Sequence, residues 1–232
     1  MTDFGTPGSF PTPPMPPSSG ARTGPPWENP GSFFQRWIDT AKSILLDPQG
    51  GFRNVRRSGG IGAPLTYYLV GASPAIIGYL LFSMFLGGMS MLGGREAMAG
   101  TAIMGGGMIG GLVMVICAYV IGFFILTGVV HLVLSLLGGA KHGYEATVRV
   151  FAYAHGSALP LAFIPPCAAI AGIWAIVCEI FGLAEMHETT PVKAAIAIFS
   201  PIILCCILWV LLWGALMAMF MGTAAVGGAM SQ

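Results

Sequence analysis

Charged side chains are scarce in this sequence. Ten Lys and Arg and nine Asp and Glu make up 8% of 232 residues, 55% are hydrophobic, and the mean hydropathy is +0.79. A soluble domain carries about 25% charged residues, because its surface must face water. The deficit excludes an ordinary water-soluble enzyme domain. The formal net charge of +1 excludes the basic surface by which nucleic-acid binders are recognised, so no nucleic acid is expected as a partner.

Cysteine is also sparse. Cys117, Cys167, Cys178, Cys205 and Cys206 form no C-x-x-C pair and all lie in apolar stretches, which argues against a disulfide framework and reads as small buried side chains. The sequence contains no His-Glu-x-x-His, no Gly-x-Ser-x-Gly and no phosphate loop, since GGGMIGG lacks the Gly-Lys-Ser/Thr ending. No catalytic residue, cofactor or metal site is predicted. The expectation is a non-enzymatic integral membrane protein.

What is present divides the chain. Residues 1–32 hold nine of the 17 prolines, between Pro7 and Pro30, and such a tract cannot bury enough apolar area to fold. It lacks the apolar core of a signal peptide and is read as a disordered cytoplasmic tail. The run from Pro11 to Pro17 favours polyproline II, either as a solvated tether or as a docking segment for a partner. In SFFQRWIDTAKSILLDP, residues Phe33, Phe34, Trp37, Ile38, Ala41, Ile44 and Leu45 recur at helical spacing, with Ser32 placed to cap the start and Pro48 to stop the end. This amphipathic helix either lies in the membrane interface with Trp37 at headgroup depth or folds back on its own bundle. Arg53, Arg56 and Arg57 follow it as a basic cluster suited to anionic headgroups. Residues 33–57 are therefore the juxtamembrane segment.

Beyond Arg57, residues 58–94, 97–140 and 194–232 contain no Asp, Glu, Lys or Arg. A spanning helix needs about 20 apolar residues. The first stretch predicts one span near 66–86. The second predicts a span from about 108 to 137, because the glycines of GTAIMGGGMIGG weaken a helix; residues 97–108 are left as a loop or a re-entrant piece. The spacings Gly106/Gly110 and Gly107/Gly111 read as close helix contact and permit a homo-oligomer. Residues 147–186 are broken by Pro165 and Pro166, which gives spans at about 147–164 and 167–186 joined as a hairpin. A last span runs from Thr190–Pro191 to about 221. The prediction is an all-α bundle of five transmembrane helices over 58–222, with a short extracytoplasmic tail at 223–232. With five spans, nine basic residues (Arg22, Arg36, Lys42, Arg53, Arg56, Arg57, Lys141, Arg149 and Lys193) fall on one side and Arg95 alone on the other. The positive-inside rule then places the amino terminus in the cytoplasm and the carboxyl terminus outside.

HLVLSLLGG (131–139), GYEATVRVFAYA (143–154), Ile164-Pro165 and GIWAIVCEIFGLAEMHETTPVKA (172–194), followed by an apolar span with Pro201, together resemble the Yip (Ypt/Rab-GTPase-interacting protein) family, and its bacterial-type members in particular. The likeness covers roughly residues 35–220. It implies a helical five-span bundle with a cytosolic amino terminus, in a bacterial inner membrane. Eukaryotic relatives are linked to vesicle traffic, Rab binding and membrane shaping. This chain lacks the Asp-Leu-x-Gly-Pro type motif of those relatives, and Rab binding is not carried over.

Ionisable groups within a bilayer cost several kcal/mol unless paired or hydrated. His131, His155 and Glu179 each fall roughly 10 Å below the predicted cytoplasmic surface at 1.5 Å per residue, in three different spans. Arg149 and Tyr153 share a helical face, whereas His155 lies off that face and can meet Glu179 across the hairpin. These five residues form a candidate intramembrane polar cluster: a hydrogen-bonded packing device, a proton or ion path, or a contribution to a metal site. Two functions follow. One is a protein that organises anionic lipids or an unidentified membrane or cytoplasmic protein, for which deleting residues 1–57 is expected to abolish recruitment and spare the bundle. The alternative is a small transporter or channel that uses His131, His155 and Glu179.

Overall fold

The computed structural model describes residues 22–91 and 108–229, and all regular structure among them is helical. A single 3-10 turn, Pro26–Glu28, precedes seven α-helices: α1 Phe33–Leu46, α2 Pro48–Asn54, α3 Gly62–Met91, α4 Met108–Leu136, α5 Tyr144–Ala158, α6 Ala168–Met186 and α7 Pro191–Ala229. Two short 3-10 turns, Leu159–Phe163 and Pro165–Cys167, join α5 to α6.

The punctuation follows local chemistry. Pro48 ends α1 and opens α2, where the Asp47 carboxylate accepts the Gly50 amide at 3.0 Å. Ser32 stands at the N-cap of α1 but its hydroxyl caps nothing. At the end of α4, Gly138 takes a left-handed φ of 64°, so that Gly139 N–H reaches Leu134 O at 2.8 Å and Gly138 N–H reaches Ser135 O at 2.9 Å. That is the Schellman pattern, which favours glycine. Helix α6 ends with the same 6→1 bond, Thr189 N–H to Ala184 O at 2.9 Å. There the left-handed residue is Glu188, with φ 51°, an uncommon setting for a residue with a Cβ.

Helix α5 is the central post. From Ala146 to Ala158 every residue except His155 is buried, against α3, α6 and α1. The α3–α5 contact is backbone to backbone. A Cβ on Gly71 would collide with the carbonyl of Gly156, and one on Gly78 with the carbonyl of Phe163. The Tyr67 hydroxyl joins Ser157 Oγ at 2.8 Å across the same seam. Small residues do permit close helix contact here, but at Gly71, Gly78 and Gly156. Of the glycines expected to do so, Gly106 and Gly107 lie outside the described residues, and Gly110 and Gly111 stand in the first turn of α4.

Four helical stretches among the described residues are long and apolar enough to cross a membrane: Gly62–Phe85, Ile116–Leu136, Pro165–Met186 and Pro191–Ala215. The expected span at 147–164 is not among them. Its 15-residue helix α5 reaches about 22 Å at 1.5 Å per residue, against a hydrocarbon core of about 30 Å, and Pro160 then turns the chain into a 3-10 segment. The outward faces of the four long stretches are aliphatic and aromatic, with Leu81, Phe85, Ile121, Ile125, Trp209 and Leu211 all exposed.

The amino-terminal boundary also differs. Residues 22–31, assigned by composition to the tail, are a packed strap. Trp27 is buried; its amide donates to Thr40 Oγ1 at 2.8 Å and its indole N–H to Ala63 O at 2.9 Å. Proline and glycine dominate the composition of this segment, and its one tryptophan and one glutamate decide its structure. Helix α1 lies against α5 and buries Thr40, Ala41 and Ile44, while Phe33, Phe34 and Leu46 remain exposed.

Candidate functional site

The five polar residues singled out within the membrane segments are distributed over three separate groups. In the first, Arg149 is almost wholly buried and its guanidinium is fully engaged. Nη1 donates to Glu28 Oε1 at 2.6 Å, Nε to Glu145 Oε1 at 3.0 Å, and Nη2 to the Gly60 carbonyl at 2.7 Å. Tyr153, one turn further on the same face, donates its hydroxyl to the same Glu28 oxygen at 2.6 Å. The second carboxylate oxygen of Glu28 lies 3.9 Å from Arg56 Nε. Burying an arginine is tolerable only with such complete pairing. Its cation locks the strap, the α2–α3 loop and α5 together.

The second group runs through Thr147. His131 Nδ1 lies 2.8 Å from Thr147 Oγ1, which lies 2.9 Å from His187 Nε2, and His187 Nδ1 accepts the His142 amide at 3.3 Å. His187 is completely buried at the end of α6. Burial pushes its imidazole down to about 4, with His131, His142 and Arg57 adding repulsion. His131 is thus bonded to the α5 hydroxyl and does not join His155.

The third group is the pair expected across the hairpin. His155 Nδ1 approaches Glu179 Oε1 to 2.6 Å, and the carboxylate is buried. The approach is a charge contact off the direction of a normal hydrogen bond, and neither atom has another hydrogen-bond partner among the described residues. The Tyr68 and Phe151 rings flank the imidazole at 6.4 and 6.0 Å. Proline-driven reversal at Pro165 and Pro166 is what brings α5 and α6 side by side.

The residues expected at lipid headgroups also make contacts within the protein, with Arg53 and Arg56 still about half or more exposed. Trp37 is half-buried and packs its ring 6.4 Å from Tyr67. Arg57 Nη2 pairs with Glu188 at 2.6 Å, Arg53 with Glu185 at 3.7 Å, and Arg56 donates to Thr23 O at 2.8 Å. The hydrogen bond and charge of Arg57 hold the Glu188 carboxyl below the usual range. Among the described residues, no group of three or more His, Cys, Asp or Glu is arranged to hold a metal.

Sequence reasoning missed Glu28, Glu145, Thr147 and His187. The signal for the first two was the isolation of Arg149 in an apolar stretch, which demands a carboxylate; Glu145 stands four residues before it, and Glu28 is the only acid between Asp3 and Asp39.

No characterised protein and no solved structure shows a significant match to the chain. A family model does, the Yip1 domain, over residues 42–213. That range takes in α2 to α6 whole, with Arg149, His155, Glu179 and His187, and most of the span of α7; the chain belongs to the Yip1 domain family.

Proposed function

We propose that this multi-pass membrane protein has no catalytic activity and organises lipids or partner proteins at the membrane. The observation that carries this reading is the use made of its buried polar groups. Arg149, Tyr153, Glu28, His131, Thr147 and His187 are each bonded to another element of the same chain. They hold the bundle in one arrangement. What the chain offers to the outside is an apolar shell, the exposed Phe33 and Phe34 of α1, and an arginine-rich rim.

We place that rim in the cytoplasm, in a bacterial inner membrane, by the nine-to-one distribution of basic residues. The orientation does not depend on whether the α5–α6 hairpin crosses fully. Both ends of the hairpin lie on the rim side, so five spans, or three spans with a re-entrant hairpin, put the carboxyl terminus outside alike.

The test is in-membrane cross-linking of the tagged full chain and of a variant lacking residues 1–21, followed by mass spectrometry of the captured proteins and lipids. A reproducible partner set supports the reading, and its loss on removing 1–21 assigns recruitment to the proline-rich segment. Capture of bulk lipid alone by both forms sinks it. Deletion of 1–57 is not a usable test, because it removes Trp27, Glu28, Ile44 and Phe52 from the core.

A second reading, a small transporter or channel, draws on the buried Glu179, whose Oε1 lies 2.6 Å from His155 Nδ1 and has no hydrogen-bond partner among the described residues. His131 is not part of that pair. Proton or ion flux in proteoliposomes that is unchanged by Glu179→Gln removes this reading.

A further inference from the structure

At the rim, Arg22, Arg56, Arg57 and Ser58 enclose an open recess of about 350 Å³. We propose that this recess is a binding site for the phosphate of an anionic phospholipid headgroup. The proposal rests on the lipid-organising reading above and names its ligand and its residues.

The wall is fixed. Arg22 Nη1 donates to Phe52 O at 2.8 Å and to Val55 O at 3.3 Å, while Nη2 reaches Glu185 O and Oε1 at 3.4 and 3.5 Å. Its guanidinium is therefore immobilised, with Glu185 Oε1 at the long distance of 3.5 Å as its carboxylate partner. Arg57 gives Nη2 to Glu188, but its Nε is buried and has no hydrogen-bond partner among the described residues. Such an orphaned donor costs free energy unless an acceptor reaches it. The Arg56 side chain is about half exposed; one of its amino groups is on Thr23 O, and the Glu28 carboxylate lies at the long distance of 3.9 Å.

The charge balance also points to an anion. Arg22, Arg53, Arg56, Arg57 and Lys141 gather here. The carboxylates among them are Glu185 and Glu188, since Glu28 is taken up by Arg149 at 2.6 Å. Neighbouring groups register the excess. Arg22 is held below its ordinary value by burial and then by Arg57, against the pull of Glu185 and Glu188, and His142 is lowered by burial and then by Arg57, with Glu188 opposing.

Planar guanidinium forks match the oxygens of a phosphate better than a point charge does. Arg57 stands just before α3, whose apolar span begins at Gly62. That register sets the recess at the edge of the hydrocarbon, where a phosphodiester is held by its own acyl chains and a free ion is not.

The experiment is lipid retention by the purified full chain in mild detergent, read by native mass spectrometry after incubation with phosphatidylglycerol or phosphatidylcholine. Phosphatidylglycerol is expected to be retained in preference. Arg57→Gln is expected to weaken its retention about tenfold, the equivalent of one charge-assisted hydrogen bond, and Arg56→Gln is expected to weaken it in the same direction. Glu188→Gln removes the carboxylate that competes for Arg57 and is expected to strengthen retention, an effect that simple loss of a structural ion pair does not produce. Equal retention of the two lipids, or no change in both arginine variants, overturns the site. So does weaker retention in Glu188→Gln with an unchanged melting temperature. If inorganic phosphate at low millimolar concentration binds the lipid-free chain and displaces phosphatidylglycerol, the recess reads free phosphate and the lipid assignment falls. Loss of the site with partner capture intact leaves the organiser reading standing; loss of partner capture with lipid retention intact does the reverse.

Discussion

Glu28 and Arg149 are 121 positions apart in the chain and their charged atoms are 2.6 Å apart. Both are almost completely buried. The carboxylate comes from a stretch that composition assigns to a tail, and the guanidinium from the helix at the centre of the bundle. The ion pair therefore makes residues 22–31 part of the folded domain.

Removing Glu28 leaves the buried Arg149 cation with Glu145 as its remaining carboxylate, and leaves Nη1 and the Tyr153 hydroxyl without their acceptor. Glu28→Ala is expected to destabilise the protein by about 3–5 kcal/mol, read as a lowered melting temperature in detergent. Joint replacement of Glu28 and Arg149 by Met is expected to cost less than Glu28→Ala alone, because the under-paired buried cation is gone and Glu145, the carboxylate left behind, is partly exposed and keeps the Gly60 amide. A double variant as unstable as the sum of its singles would show that the two residues act independently.

The strap also predicts where truncation becomes destructive. Removing residues 1–21 keeps Arg22, Trp27 and Glu28 and is expected to leave melting unchanged. Removing residues 1–31 deletes all three, with the hydrogen bonds to Thr40 and Ala63, and is expected to give aggregated or proteolysed material on size-exclusion chromatography.

The α3–α5 seam predicts opposite effects for one chemical change. Gly71→Ala and Gly78→Ala each drive a methyl into facing backbone, where overpacking costs about 1–3 kcal/mol. Gly122→Ala on α4 meets open space and is expected to be neutral or to stabilise by up to about 1 kcal/mol, the helix-propensity difference. Similar melting temperatures for all three variants would deny that the seam is in backbone contact.

His187 gives a pH dependence. Its folded-state value, pushed down to about 4, lies below the ordinary 6.5, so the unfolded chain takes up this proton first. The contribution of neutral His187 to stability is complete above about pH 6.5 and is lost as the pH falls from there toward 4. Melting temperatures between pH 7.5 and 4.5 are expected to fall with a slope of up to one proton, and His187→Gln is expected to flatten that slope. An unchanged slope in the variant would mean that other groups carry it.

Much of this fold is legible from local chemistry. The charge-free stretches locate α3, α4 and α7. Pro48, Gly138, Pro165, Pro166 and Pro191 mark where helices stop, turn or start, because proline lacks an amide donor and glycine accepts a left-handed φ. The pairing of His155 with Glu179 also follows from helical geometry, since the hairpin leaves each few other polar groups to face. These are short-range consequences of composition and periodicity, available without any knowledge of packing.

Tertiary structure alone decided the rest. Helix α5 reads as a span by its apolar content, yet it is a buried post 15 residues long, because α1, α3 and α6 enclose it where lipid was expected. Trp37 and Arg57 are read from the sequence as facing lipid headgroups, and the fold gives each a contact within the protein as well, Tyr67 for the first and Glu188 for the second. Above all, Glu28 joins the core only because Arg149, far along the chain, is buried and must be neutralised. Burial energies and charge pairing depend on which surfaces meet, and neither composition nor spacing along the chain carries that information.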